Sequence, residues 1–288
     1  MSYAFFPGCS LEGTARDFRL STMAVAQKVG LDLPELKDWI CCGSTAAHST
    51  DPLLADALPA KSLSAAGGAT VAVACAACYS RLKTANHHIA GDAALRARVA
   101  QVVGRDYDGQ TKVLHLLEIL VRQIGLQRIR SAIRSPLAGL KVACYYGCLL
   151  ARPPEITNFD DPENPTLMDQ LLEAAGATPV AWPHKTECCG ASFSITDPSI
   201  VLELSAQILL MAQAAGADCI ATACPLCQLN LDMRQQEIEA KSGRRYNLPV
   251  FYFTQLLGLA MGCPADDLSL GSLIVAPGAL LEAKGIGR

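Results

Sequence analysis

The sequence predicts an α/β protein of two homologous domains, each a small sheet flanked by helices, related by a pseudo-twofold axis. Three observations carry that expectation. The triplet Cys-Cys-Gly occurs twice, at Cys41-Cys42-Gly43 and at Cys188-Cys189-Gly190. Each copy has a lone cysteine upstream, Cys9 or Cys148, and a C-x-x-C downstream, Cys75/Cys78 or Cys224/Cys227. The elements between these cysteines recur in one order, with a period of about 140–150 residues, too long for a solenoid unit and right for a domain. Ser135-Pro136 begins the junction, which divides the chain into a first domain, residues 1–136, and a second, 137–288.

In the first half, Tyr3 to Phe6 reads as a short buried strand that turns at Pro7-Gly8. Gly8 permits the tight turn, so Cys9 is expected to project from a strand end. Thr14 to Val29 carries helical apolar spacing at Phe18, Met23, Val25 and Val29 and stops at Gly30. Trp39-Ile40 leads into the first Cys-Cys-Gly. Adjacent residues of a strand point to opposite faces, so both cysteines reach one site only where the backbone leaves strand geometry, and Gly43 supplies that freedom. Asp51-Pro52 starts the next helix as N-cap and first helical residue, and the helix runs to about Ala66. Gly67-Gly68, which stop it, lack the spacing and the lysine of a phosphate loop. Thr70 to Ala74 is a buried strand that delivers Cys75 and Cys78 to the start of a helix over Tyr79 to Ile89. The helix dipole favours thiolates there. Residues 91–134 read as helical, with Val113, Leu116, Leu117, Ile119 and Leu120 as the apolar stripe. Arg122, Arg128, Arg130 and Arg134 give the segment a basic tint and read as a solvated face, with a partner-docking site as the alternative.

The second half repeats the order. Leu140 to Tyr146 is a strand ending at Gly147-Cys148. Arg152-Pro153-Pro154 and the run Asn158 to Pro165 form a rigid surface loop. A helix over Thr166 to Ala175 stops at Gly176, and Pro179 to Trp182 is a strand approaching the second Cys-Cys-Gly. Asp197-Pro198 repeats Asp51-Pro52 ahead of a helix that stops at Gly216. Asp218 to Ala223 is the strand that delivers Cys224 and Cys227, and a helix over Gln228 to Lys241 follows. Val250 to Phe253 reads as a strand and Leu256 to Leu259 as a buried helix, while the tail from Asp266 carries no assignment.

Of the 288 residues 51% are hydrophobic and 18% charged, and the net charge is −3. That balance excludes a nucleic-acid surface and allows sizeable cores. Met1 to Pro7 has neither the basic region nor the long apolar run of a secretion signal. No run of about eighteen apolar residues marks a membrane span. Thirteen cysteines without such a signal point to a reducing compartment, the cytoplasm, where thiols serve metals or redox chemistry.

Soft thiolates select iron–sulfur clusters, zinc or Cu(I). A tetrahedral zinc site takes four ligands, and so do ordinary iron–sulfur clusters, whereas each group here offers five cysteines. An adjacent Cys-Cys pair suits an unusual cluster, in which one sulfur bridges or two irons lie close together. A dithiol relay at each C-x-x-C leaves the Cys-Cys-Gly elements without a task. Iron–sulfur binding is therefore the expected chemistry, with structural zinc as the alternative. Cys144, Cys219 and Cys263 fall outside the repeat and read as buried thiols, since Phe5 stands opposite Cys144 in the first half.

Pro7-Gly8-Cys9, Cys41-Cys42-Gly43, Tyr146-Gly147-Cys148, Arg152-Pro153-Pro154-Glu155, Lys185-Thr186-Glu187-Cys188-Cys189-Gly190 and Cys224-Pro225-Leu226-Cys227 resemble the B-type subunit of heterodisulfide reductase, over essentially the whole chain. That family is built from two cysteine-rich CCG domains. The resemblance implies two non-cubane 4Fe-4S clusters. One is held by Cys9, Cys41, Cys42, Cys75 and Cys78, the other by Cys148, Cys188, Cys189, Cys224 and Cys227. It also implies partners: a flavin- and Fe–S-containing A-type subunit, and a ferredoxin-like C-type subunit that feeds electrons in. The chain shows no flavin or nucleotide site of its own.

The implied reaction is reductive cleavage of a disulfide substrate, in methanogens the coenzyme M–coenzyme B disulfide, with two electrons and two protons giving two thiols. His184, Lys185 and His48 are candidates for assisting protonation, and Arg152 for meeting an anionic substrate group; a surface or packing role is open to each. Three other readings stay open. They are an electron-transfer subunit of a lactate- or glycolate-oxidising complex, a heterodisulfide reductase-like subunit running in the sulfur-oxidising direction, and a zinc-stabilised scaffold.

Overall fold

Two parallel sheets, one in each half, order the chain. The computed structural model describes residues 3–44 and 46–287; Met1, Ser2, Thr45 and Arg288 lie outside them. The first half runs β1 (Tyr3–Phe6), α1 (Gly8–Glu12), α2 (Arg16–Val29), α3 (Ala47–Thr50), α4 (Pro52–Leu63), β2 (Thr70–Val73), α5 (Ala76–Gly91), α6 (Ala93–Val103), β3 (Val113–His115) and α7 (Leu116–Glu118). A π-helical stretch over Ile119–Gly125 then leads into α8 (Leu126–Ala132). The second half runs β4 (Lys141–Tyr145), α9 (Cys148–Ala151), α10 (Pro154–Thr157), α11 (Leu167–Ala174), β5 (Thr178–Pro179), α12 (Pro198–Ala214), β6 (Cys219–Thr222), α13 (Pro225–Asp232), α14 (Gln235–Ser242), β7 (Val250–Tyr252) and α15 (Phe253–Ala260). The tail adds α16 (Ala265–Leu268) and α17 (Gly278–Ala283).

Strand order is β1-β2-β3 in one sheet and β5-β4-β6-β7 in the other, with every pairing parallel. Parallel strands are covered by helices on both faces and so read as near-continuous apolar runs, as Val71-Ala72-Val73 and Val142-Ala143-Cys144-Tyr145 do, all fully buried. Asp51 and Asp197 cap α4 and α12 with their carboxylates, accepting the Leu53 and Ser199 N–H groups. The α/β class and the repeat of element order are thus as the sequence predicts.

Four local expectations are corrected. Cys9 and Cys148 do not project from strand ends but sit in the first turn of short helices, α1 and α9. Residues 91–134 are not helical throughout: α6 ends at Gly104 in left-handed geometry, and Val113–His115 forms β3 beside β2. Three apolar-flanked residues fit either period, and pairing of Val113 with Val71 decides for the strand. The strand over Pro179–Trp182 pairs only at Thr178–Pro179, because proline donates nothing to a ladder and belongs at an edge. The helix over Gln228–Lys241 breaks at Met233-Arg234. There the Asp232 carboxylate accepts the Ile274 and Val275 N–H groups at 2.7 and 3.2 Å, and the Gln235 side chain donates to the Leu248 carbonyl at 2.6 Å.

The halves exchange equivalent contacts, the mark of isologous packing. Helix α15 packs on α2, and its counterpart α7 packs on α11, the counterpart of α2. Phe18 of α2 is stacked on Tyr252 with ring centroids 4.1 Å apart, and meets Phe253 edge-on at 6.0 Å. The hydroxyls of Ser21 and Thr254 lie 2.7 Å apart beside them. Phe18 is fully buried, so Phe18→Ala is expected to cost about 3–5 kcal/mol. Urea denaturation should show one shifted midpoint for the whole chain, because this core joins both halves.

Candidate functional site

Parallel pairing sets the carboxyl ends of β1 and β2 side by side, at Phe6 and Val73, and those of β4 and β6 at Tyr145 and Thr222. Open α/β sheets bind ligands beyond that edge. The segments leaving it carry Cys9 and Cys75/Cys78 in one half, Cys148 and Cys224/Cys227 in the other. Gly8 and Gly147 both stand at φ +69°, and a Cβ there would lie 2.9 Å from Cys78 Sγ and 3.2 Å from Cys227 Sγ. Only glycine lets the backbone pass so close to those sulfurs. Each Cys-Cys-Gly lies outside regular strand structure.

This geometry gathers the cysteines into two groups. Cys9 and Cys41 Sγ lie 3.5 Å apart, Cys42 and Cys78 3.3 Å, and Cys189 and Cys227 3.6 Å. Side-chain contacts continue from Cys41 to Cys42 and from Cys78 to Cys75 in the first group. In the second, Cys224 meets Cys227, and Cys148 meets Cys188. The groups touch each other through Cys75 and Cys224. All of these cysteines are free thiols; Cys9, Cys41 and Cys188 reach the surface.

Thiol crowding divides the sulfurs by charge. Hydrogen bonds from the Cys41 and Cys78 thiols pull Cys42 down to about 4, with the Arg81 guanidinium adding to the effect. The Cys148 thiol pulls Cys188 down to about 6. Cys227 and Cys75 hold Cys224 well below the usual thiol range. Their donors Cys41, Cys148 and Cys227 are pushed up, since each keeps the proton its neighbour gives away. The sulfurs form chains of contacts. Among the described residues no three or more His, Cys, Asp or Glu side chains surround a common point as ligands of a single ion.

A cavity of about 120 Å³ opens between the halves beside these sulfurs. The second half contributes Cys148, Cys188, Cys189, Cys224 and Cys227; the first contributes Ser44, His48, Ala76, Ala77 and Arg81. A groove of about 510 Å³ adjoins it between α4 and α5 and shares His48 and Arg81 with it. A larger open depression of about 730 Å³, around Gly67, Ala93 and Tyr107, has no cysteine in its lining.

The other sequence candidates fall in distinct places. His48 is exposed and stands where cavity and groove meet. His184 is half-buried with its Nδ1 lacking a partner among the described residues, and does not line the cavity. Lys185 is buried; its ammonium donates to Asp169 at 2.8 Å and to the Pro165 carbonyl at 2.9 Å. Arg152 is held by the Pro162 carbonyl, Glu163 and Thr186 at 2.8–3.0 Å, so neither of these cations faces the cavity.

Sequence reasoning missed Arg81 and His115. Arg81 lies three residues after Cys78, one turn along the helix that the C-x-x-C begins, and that spacing is its signal. His115 ends β3; its Nδ1 accepts the Leu117 N–H, so Nε2 carries the proton and donates to the Ala74 carbonyl at 2.7 Å, fixing the backbone just before Cys75. Burial keeps it neutral, its pKa pushed down to about 4.

Comparison with known proteins agrees with this duplicated site. The cysteine-rich domain family, CCG, matches residues 3–83 and 142–232. The B-type subunit of the ferredoxin/F420H2-dependent CoB–CoM heterodisulfide reductase of Methanosarcina acetivorans is 33% identical over 93% of this chain and 91% of its own. The membrane anchor subunit of the 8-methylmenaquinol:fumarate reductase of Wolinella succinogenes is 31% identical over 95% and 96%. In fold, the crystal structure of a hypothetical protein from Helicobacter pylori matches with a TM-score of 0.74 at 13% identity, over 94% of this chain and 51% of that one, so the chain spans about half its length. With both cysteine-rich domains matched and the methanogen relative aligned nearly end to end, the chain belongs to the family of heterodisulfide reductase B-type subunits, which are two-domain CCG proteins.

Proposed function

We propose that the protein is the disulfide-cleaving subunit of a heterodisulfide reductase-type complex and carries two non-cubane 4Fe-4S clusters. Cys9, Cys41, Cys42, Cys75 and Cys78 would hold one, and Cys148, Cys188, Cys189, Cys224 and Cys227 the other. The observation that carries this reading is the meeting of two five-cysteine groups across Cys75 and Cys224, beside a cavity that both halves line. The donor set fits such a group: free thiols in contact with one another, with Cys42 and Cys224 biased toward the thiolate by neighbouring thiols. Bound there, the clusters supply single electrons.

The overall reaction breaks one S–S bond, takes two electrons from partner subunits and two protons from solvent, and yields two thiols. The chain's own residues prepare the place. Ala76, Ala77, Leu149 and Leu226 give the cavity apolar walls that limit water. His48, exposed where cavity and groove meet, would pass protons inward. The Lys185 carbonyl accepts the Tyr146 and Gly147 N–H groups at 2.8 and 3.0 Å and so fixes the turn that presents Cys148. In this reading the protein works in the cytoplasm with a flavin-containing A-type partner and a ferredoxin-like C-type partner. The likeness to the 8-methylmenaquinol:fumarate reductase component favours a second reading, an electron-transferring subunit that binds no disulfide. Among the described residues no helix is long and apolar enough to cross a membrane.

Anaerobically purified protein should contain about eight irons and eight sulfides per chain, as two four-iron clusters require. Zinc without sulfide in such protein would sink the reading. Cys189→Ala should lose about half the iron and sulfide and keep the rest, whereas unchanged iron would refute the ligand assignment. A disulfide or thiol that alters the electron paramagnetic resonance signal supports the first reading, and indifference to both supports the second. Lys185→Met leaves the Asp169 carboxylate with the Tyr146 hydroxyl but without its cation and should cost about 3–5 kcal/mol in denaturant titration. Wild-type stability in that variant, with a lost limb in the pH profile of turnover, would make Lys185 a proton donor instead.

A further inference from the structure

Asn230 lies on α13 three residues after Cys227 and shares a helix face with it. The side chain is fully buried. Its amide nitrogen donates to the Cys189 carbonyl at 3.3 Å and to the Cys189 sulfur at 3.5 Å. A carbonyl only accepts, so the amide turns its NH2 toward Cys189, and the Ser194 hydroxyl donates to the amide oxygen at 3.4 Å on the other side. The Ser205 hydroxyl donates to the same Cys189 carbonyl at 3.4 Å. One side chain thus holds both the backbone and the sulfur of Cys189, which fixes where that sulfur points. The first half keeps part of this arrangement and changes the rest. The Gly190 N–H reaches the Cys188 sulfur at 3.3 Å, and the Gly43 N–H does the same for Cys41. In place of Asn230, however, three residues after Cys78, stands Arg81. Cys42 is bonded by the Cys41 and Cys78 thiols and the Ser44 N–H, and Arg81 acts on it through its charge. Duplication has kept the backbone donors and changed the side-chain donor.

Hydrogen bonds to ligating sulfurs tune the reduction potential of an iron–sulfur cluster, and residues behind the ligands orient them. Reduction adds one negative charge, part of which falls on the sulfurs. An N–H aimed at sulfur therefore stabilises the reduced form more than the oxidised one. We propose that Asn230 is a positioning residue of the second cysteine group, which locks Cys189 and raises the reduction potential of the metal centre held there. One electron enters from the partner subunit, and no bond of Asn230 forms or breaks. Two groups alike in their cysteines are then tuned by unlike neighbours. This rests on the second group holding a cluster.

The test is a redox titration of the anaerobic, metal-loaded chain, followed by electron paramagnetic resonance, in a Cys42→Ala background that keeps the second centre alone. Asn230→Leu, similar in size, removes the donor. At a fixed potential it should lower the reduced-to-oxidised ratio about three- to tenfold, ~30–60 mV for one electron. Asn230→Asp keeps the shape, puts a carboxyl oxygen where the NH2 stood, and should lower the potential further. Ser194→Ala loosens the amide and should give a smaller shift of the same sign; where neither Asn230 variant keeps its metal, this variant decides. An unchanged or raised potential overturns the proposal, since a packing role alone lowers the melting temperature and leaves the potential in place. Zinc with no redox transition sinks the iron–sulfur reading by itself. Competition with a chelator then decides: Asn230→Leu should hold zinc at the second site about ten- to a hundredfold more weakly, and equal affinity overturns the proposal.

Discussion

The site depends on one contact between the halves. The N-termini of α5 and α13 meet head to head, with the Ala76 N–H donating to the Ala223 carbonyl at 3.1 Å. Two like dipole ends repel, and negative charge between them relieves the repulsion. The residues found there are the C-x-x-C cysteines, and Cys224, in contact with Cys75, is strongly biased toward its thiolate. Fold and chemistry therefore favour one another. The same meeting sets Cys75 against Cys224, joins the two sulfur groups, and fixes where a cavity can lie between them.

The flanking structure serves this contact. Neutral His115 holds the Ala74 carbonyl, one residue before Cys75, and packs edge-on against Tyr79 at 5.7 Å. The Tyr79 hydroxyl donates to the Thr157 carbonyl of the other half at 2.9 Å. Within each half, Gly8 and Gly147 let the backbone pass close to the sulfurs of Cys78 and Cys227, where a Cβ would crowd them. A substitution at Tyr79 acts on the register of the halves, and one at His115, Gly8 or Gly147 acts on the sulfurs of a single half.

The cysteine groups were legible in the sequence because residues that one topology gathers to one place keep fixed positions in each copy of the repeat, so their spacing survives. The helix starts at Asp51 and Asp197 were legible for the same reason: a cap is a local chemical act. What stayed hidden depends on partners distant in sequence. Val113-Leu114-His115-Leu116-Leu117-Glu118 is the counterpart of Val250-Phe251-Tyr252-Phe253-Thr254-Gln255; Glu118 and Gln255 accept the N–H groups of His115 and Tyr252 at 2.8 and 2.9 Å. Apolar residues continuing past the strand into α7 made the first copy look like one helical stripe. Nothing near Lys185 announces its partner, because Asp169 lies sixteen residues away on α11. The break at Met233 follows from a tail whose contact with Asp232 no local pattern reveals.

Duplication followed by divergence explains why the cavity is not symmetric. Its second-half wall carries Cys148, Cys188, Cys189, Cys224 and Cys227 among apolar and small residues, and Asn230 is committed to Cys189. Its first-half wall is alanine, serine, histidine and arginine, and it continues into the open groove between α4 and α5. Cavity and groove share Arg81 and His48, so the basic residues of the first half stand where the two meet. Two equivalent walls would treat the ends of a disulfide alike. These walls do not, so whatever the cavity holds meets cysteine sulfurs on one side and alanine, serine, histidine and arginine on the other.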